Sequence, residues 1–223
     1  MRAKVKITKQ QIKEDKFTTF VLRAKDRIVE NWQVVSIAAA AAIIIIAGFV
    51  YYVNTQSSRE ATALNRLTRA TAELQRRNYE AAITEFQAVA DSYGGDAAGR
   101  AQFYLGNAYY GSKDYDEAIA AFQKYVDKYH LDKLSTSSAM AGIAASLENK
   151  QEFATAAERY REAVDYYPDS PSAPDYYLGA VRCYVQTGNR ELAEQMVAVL
   201  KERYFGSDYY RTASQLAMQL NVE

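Results

Sequence analysis

Three stretches of this chain carry the same comb of apolar residues. Counted from Tyr79, apolar side chains fall at Ala82, Ile83, Phe86, Ala90 and Tyr93; from Tyr115 they fall at Ala118, Ile119, Phe122, Val126 and Tyr129. From Phe153 the comb reads Ala156, Ala157, Tyr160, Val164 and Tyr167. Steps of three and four residues trace one face of an α-helix. The starts at residues 79, 115 and 153 give a period that belongs to stacked supersecondary units, each burying its face against the next, and not to one globular core.

Ahead of each comb lies a second apolar helix: Leu67/Ala70/Leu74, then Tyr104-Leu105-Gly106 with Tyr109, then Ile143-Ala144 with Leu147. Polar turns separate the two helices of a pair at Arg77-Asn78, at Gly111-Ser112-Lys113-Asp114 and at Asn149-Lys150-Gln151-Glu152. Helical hairpins therefore repeat. A looser fourth unit opens at Tyr177-Leu178-Gly179, turns at Thr187-Gly188-Asn189 and carries Leu192, Ala193, Met196, Val197, Leu200 and Tyr204. Arg190, Glu194 and Lys201 stand where the comb calls for apolar residues, as expected of a terminal repeat with one face in water. Residues 209–223 are then expected to form a capping helix. Three Pro and ten Gly in 223 residues leave too few turns for an all-β protein.

These residues resemble the tetratricopeptide repeat family. Leu105-Gly106, Tyr109, Ala118 and Phe122 match its alternation of small and large packing residues, as do Ile143-Ala144, Leu147, Ala156, Tyr160, Ala163 and Pro168. The resemblance covers roughly residues 60–208 and implies an α-solenoid that binds protein. The units exceed the family's usual length of about 34 residues, and the surplus is expected in loops such as Gly94-Gly95-Asp96 and Pro168 to Pro174. Such padding looks like the repeats of bacterial envelope proteins.

The N-terminal quarter is of another kind. Val34 to Val53 is uncharged throughout, with Ser36 its one strongly polar residue apart from two tyrosine hydroxyls. At about 1.5 Å per residue it reaches roughly 30 Å, the thickness of a bilayer core. Val34, Ile43, Ile44, Ile45, Ile46 and Phe49 would face lipid, with Trp32 at one interface and Tyr51 and Tyr52 at the other. The predicted division is a leader at 1–33, a transmembrane helix at 34–53, a linker or helix continuation at 54–60, a solenoid of about four units at 61–208 and the cap at 209–223. The predicted fold class is all-α, a single transmembrane helix followed by an α-solenoid.

Charge adds an orientation. The chain balances 27 Lys/Arg against 27 Asp/Glu, which argues against a nucleic-acid partner. Nine of those basic residues and four of the acidic ones lie in residues 1–32, while Arg59, Arg66 and Arg69 alone follow the span within twenty residues. That bias places the N-terminus in the cytosol and the solenoid outside it. A cleaved signal peptide would have a shorter apolar stretch and a briefer leader. Within the leader Phe17, Phe20, Val21, Ala24, Ile28 and Trp32 recur at helical spacing, with Lys13, Lys16, Arg23 and Arg27 on another face. Phe17, Phe20, Val21 and Ile28 are its candidate docking residues, toward the inner leaflet or toward a partner's cytosolic loops. Small residues at Ala38, Ala42, Ala47 and Gly48 leave homo-oligomerisation through the span open.

A basic amphipathic leader, an uncleaved span and an extracytosolic tetratricopeptide domain together resemble the ancillary subunit of the SecYEG translocon, the YfgM-like family. That resemblance implies a bacterial inner-membrane protein with a periplasmic domain. It implies as partners the translocon, periplasmic chaperones or client chains, and membrane lipid through one span. The alternative is a structural assembly subunit of another envelope machine, for cell-wall synthesis, division or secretion.

Catalytic chemistry finds no candidate. One cysteine, Cys183, excludes an internal disulfide and one histidine, His130, excludes His-pair metal motifs. No glycine-rich phosphate loop occurs, and the expectation is no enzyme, no metal and no cofactor. Recognition is the remaining class. Of 19 tyrosines, those on the comb are read as packing, while Tyr110, Tyr125, Tyr166, Tyr176, Tyr209 and Tyr210 fall off the main stripes or at unit ends and are the candidate partner-binding residues.

Overall fold

The computed structural model describes residues 9–220, with side chains from Thr18 onward except those of Asp26 and Ile28. It divides into two compact units, residues 1–58 and 59–223. Among the described residues there are helices and no strands.

The first unit holds α1 (Lys9–Glu30) and the first part of α2 (Trp32–Gln75). Asn31 separates them, yet helical hydrogen bonding runs through it: its N–H donates to the Arg27 carbonyl and its own carbonyl accepts from Val35. Residues 54–60, left open between linker and helix, are helical. Trp32, Val34, Ile37, Ile43 to Ile46, Phe49, Tyr51 and Tyr52 are all exposed within the described structure. A stretch of α2 is long and apolar enough to cross a membrane and has none of its surface buried by protein. Length and composition are therefore compatible with a single-pass anchor.

The second unit takes the end of α2 as its first helix and continues with α3 (Tyr79–Ser92), α4 (Gly95–Ser112), α5 (Tyr115–Lys128), α6 (Lys133–Asn149), α7 (Phe153–Tyr166), α8 (Ala173–Gln186), α9 (Arg190–Arg203) and α10 (Asp208–Gln219). From α3 to α9 each helix packs on the next, and α10 closes the stack against α8 and α9. Gly95 and Asp96, expected in a loop, instead open α4, because Gly94 takes the extended conformation that precedes a first turn. Four hairpin turns share one geometry. Arg77, Lys113, Gln151 and Gly188 each adopt positive φ. In each turn that residue's N–H returns three residues back and the next N–H returns five, as when Asp114 donates to the Tyr109 carbonyl at 2.9 Å. This is the Schellman ending, and glycine is its natural occupant. Only the fourth turn has one.

The comb works by seating large rings on glycine. A Cβ at Gly106 or at Gly142 would lie 2.6 Å from the Phe122 ring, so that ring is held between α4 and α6. Tyr160 sits on Gly179 of α8 in the same way, at 2.6 Å. The position ten residues into each comb is equally buried: Val89, Tyr125, Ala163 and Leu200 are all inaccessible. In the terminal repeat the exceptions noted in sequence, Arg190, Glu194 and Lys201, are exposed.

Candidate protein-interaction surface

The first helices of successive hairpins line one face of the solenoid, and there they form a groove of about 690 Å³. Leu64, Leu67, Thr68, Thr71 and Gln75 come from the end of α2; Asp96, Arg100, Phe103 and Tyr104 come from α4; Leu131, Asp132 and Ser135 come from the α5–α6 junction. Both helical sets are spaced by three and four residues, so each presents one face to the groove.

Its floor is aromatic. Tyr104 stacks on Phe86 with centroids 5.5 Å apart, and Phe103 meets Tyr104, Phe122 and Tyr125 at 5.4, 6.1 and 5.5 Å. Such rigid rings lose little entropy on contact. Leu64 and Leu131 remain exposed at the sides. The polar atoms divide into used and unused. Thr68 and Thr71 donate their hydroxyls to the Leu64 and Leu67 carbonyls, and Asp132 is occupied capping α6 by accepting from the Ser135 N–H at 2.8 Å. The side chains of Gln75, Asp96 and Arg100 have no hydrogen-bonding or ionic partner among the described residues. The groove thus combines apolar surface with unengaged polar groups of both signs, the mixture that gives an interface affinity at its centre and orientation at its rim.

The tyrosines expected to bind partners separate into two sets. Tyr125 is 1% exposed and Tyr176 6%. Tyr176 presents no surface; Tyr125, though nearly inaccessible, still lines the floor of the groove. Tyr125 lies one turn beyond Phe122 on the same helix face, and its hydroxyl accepts from the Leu131 N–H at 3.2 Å. Tyr176 occupies the register filled by the buried Ala101 and Ala139 in earlier repeats, and its hydroxyl pairs with Ser138 at 3.1 Å. Tyr110, Tyr166 and Tyr209 are exposed, and Tyr210 is half-buried beside Phe205. Tyr110 is engaged between repeats: its hydroxyl accepts from Asn149, which in turn accepts from Tyr115. Of the leader's candidates Phe20 and Val21 are exposed, whereas the side chains of Phe17 and Ile28 lie outside the described residues.

A polar joint replaces apolar stacking between the third and fourth hairpins. Where earlier combs have Phe86 and Phe122, the third has Tyr160, and its hydroxyl donates to Glu148 at 2.8 Å. Arg182 of α8 grips the same carboxylate with two bonds of 2.7 and 2.9 Å. Burial, with the Glu148 charge beside it, holds the Tyr160 hydroxyl well above its ordinary range. The neighbouring Cys183 is inaccessible, and burial first and Glu148 second push its thiol up to about 12. At neutral pH it is a thiol in a core, the opposite of an activated nucleophile.

Tetratricopeptide repeat family models match residues 67–132 and 150–216, together more than half of the chain. This chain is a tetratricopeptide repeat protein. Solved structures agree on the fold. A structure of TPR-like repeats from Podosopora anserina is 17% identical, covers 71% of this chain and 86% of its own, and gives a TM-score of 0.56. A tetratricopeptide repeat protein from Parabacteroides merdae is 12% identical, covers 72% of this chain and 60% of its own, with a TM-score of 0.61. Among curated proteins none matches. Tetratricopeptide repeats mediate binding to other proteins, so the solenoid is a protein-interaction scaffold.

Of the tyrosines singled out in sequence, Tyr125 alone lines the groove. The rest of its lining follows Arg100-x-x-Phe103-Tyr104 in α4 and Leu64-x-x-Leu67-Thr68 in α2, which carry ring, leucine and charge at helical spacing ahead of a comb. That spacing was the available signal.

Proposed function

We propose that this protein is a membrane-anchored scaffold whose groove holds a segment of a partner chain, with the N-terminus in the cytosol and the solenoid in the periplasm. It serves as an accessory of the protein translocon, linking it to chaperones or to emerging envelope proteins. The observation that carries the binding role is the groove, an aromatic floor flanked by exposed leucines and by the unengaged Gln75, Asp96 and Arg100. The uncharged run from Val34 to Val53, unburied by any protein surface, supports the anchor. Nine Lys/Arg before that run against three soon after it support the orientation.

An anchor beside the channel and a solenoid that samples nearby chains are two weak contacts on one molecule. Linked sites reinforce one another by roughly 10²–10⁴ where geometry permits. Exchanging residues 1–53 for an unrelated anchor of the same orientation should therefore abolish co-purification with the channel while leaving weak binding to soluble periplasmic partners. Undiminished co-purification would assign docking to the solenoid alone and favour a fixed assembly subunit of an envelope machine. Protease added outside the inner membrane should remove residues after about 54; a protected solenoid would overturn the orientation.

A further inference from the structure

The helical register of α1 gathers its basic residues and most of its apolar ones into two stripes, with Leu22 and Val29 exposed outside the apolar one. Positions 9, 13, 16, 23 and 27 are all Lys or Arg and fall in a single stripe, since their steps are three, four or seven residues. Positions 17, 20, 21, 24 and 28, all apolar, form a second stripe roughly a quarter turn away at about 100° per residue. The acidic positions 15, 26 and 30 fall on the side opposite the apolar stripe, and Glu14 and Lys25 offset each other along its far border. Among the described side chains Phe20, Val21, Arg23 and Arg27 are exposed. The chain then leaves α1 at Asn31, whose backbone and side-chain amides both donate to the Arg27 carbonyl at 3.1 Å, and reaches the uncharged run at Val34. Wherever that run enters a bilayer, the last turn of α1 starts at headgroup depth.

An apolar stripe bordered by basic positions, with positions 15, 26 and 30 on the opposite side, suits a negatively charged, apolar-cored surface. It suits a folded protein less, because protein surfaces mix both signs. We infer that α1 is an interfacial helix that binds anionic phospholipid headgroups on the leaflet where the span enters, its apolar stripe seated among the acyl chains. This rests on the anchored reading above.

The single tryptophan supplies the probe. In full-length protein reconstituted into nanodiscs, Trp32 reports the membrane entry, and the pair Trp32→Phe and Phe20→Trp moves the probe onto the apolar stripe. Quenching by spin-labelled lipid is compared in discs of phosphatidylcholine alone and with about one-third phosphatidylserine. Trp at position 20 should be quenched at least about twofold more in the anionic discs. The excess should vanish in about 0.5 M salt, where screening acts within ~5 Å. It should also vanish in the variant Lys13→Glu, Lys16→Glu, Arg23→Glu and Arg27→Glu. Equal quenching in both lipids, or no effect of charge reversal, would overturn headgroup recognition. Quenching at Trp32 but none at position 20 would leave α1 off the bilayer for a protein partner. Absence of quenching at Trp32 would remove the anchored reading itself, and this inference with it.

Discussion

Replacing Gly142 by alanine would place a methyl group 2.6 Å from Cε2 of Phe122. Two effects then oppose each other. Glycine to alanine within a helix gains about 0.8–1.0 kcal/mol of propensity. Forcing a methyl into a well-packed core costs about 1–3 kcal/mol, the amount depending on whether the neighbour can retreat. Phe122 cannot retreat, because it is buried and a Cβ at Gly106 on its other side would also stand at 2.6 Å. Overpacking should win, leaving a net loss of about 1–2 kcal/mol. Phe122→Leu alone should also destabilise, by about 1–2 kcal/mol for the lost apolar volume. In the double variant the smaller side chain makes room for the methyl, which keeps its propensity gain, so the two changes should couple favourably by at least ~1 kcal/mol. Urea unfolding of residues 59–223, followed by far-ultraviolet circular dichroism, measures all four corners of this cycle. Additivity within about 0.5 kcal/mol, or a Gly142→Ala variant more stable than wild type, would refute the seating of rings on glycine as the device that joins repeats.

Residues 59–223 expressed alone should be soluble and mostly helical, since four hairpins and a cap exceed the three or so units such stacks need; a β-dominated spectrum would contradict this. Deleting α10, which buries Ala213 and Ala217 against α8 and α9, should lower stability or solubility. Lys113→Gly and Gln151→Gly should each stabilise by about 0.5–1 kcal/mol, because both residues hold positive φ at exposed turns, and Gly188→Ala should cost about 1 kcal/mol. Cys183, its thiol pushed up to about 12 from an ordinary value near 9, contributes stability that is complete below about pH 9 and is lost as pH rises through 12. Native protein should resist thiol reagents at pH 8, and Cys183→Ala should flatten the loss of unfolding free energy above pH 9; an unchanged slope would contradict the assignment.

Periodicity made the solenoid legible, because burial repeats wherever backbone geometry repeats. The comb at Tyr79, Tyr115 and Phe153 opens α3, α5 and α7, and the polar turns within the hairpins fall at the four positive-φ residues. Tyr125 and Tyr176 are more buried than their place off the comb suggests, for a physical reason. A comb sampled at chosen offsets omits the residue one turn further along the same face, and a tyrosine's hydroxyl argues for exposure only when no internal partner exists. The Leu131 amide and the Ser138 hydroxyl supply those partners from outside the helix concerned. The groove was illegible for a related reason: it is shared by α2, α4 and the start of α6, and only their stacking brings Leu64, Arg100 and Leu131 around one concavity. The polar joint of Glu148, Tyr160 and Arg182 likewise spans three helices.

Site-specific photo-crosslinking in intact membranes tests the central claim most directly. A photoreactive residue in place of Leu64, Arg100 or Leu131 lies in the groove, and the same residue at the exposed Phe205 serves as a control away from it. The account predicts discrete protein adducts from the groove positions, shared among them and absent from the control. Adducts equally frequent at Phe205, or none from the groove, would contradict a scaffold that holds its partner there.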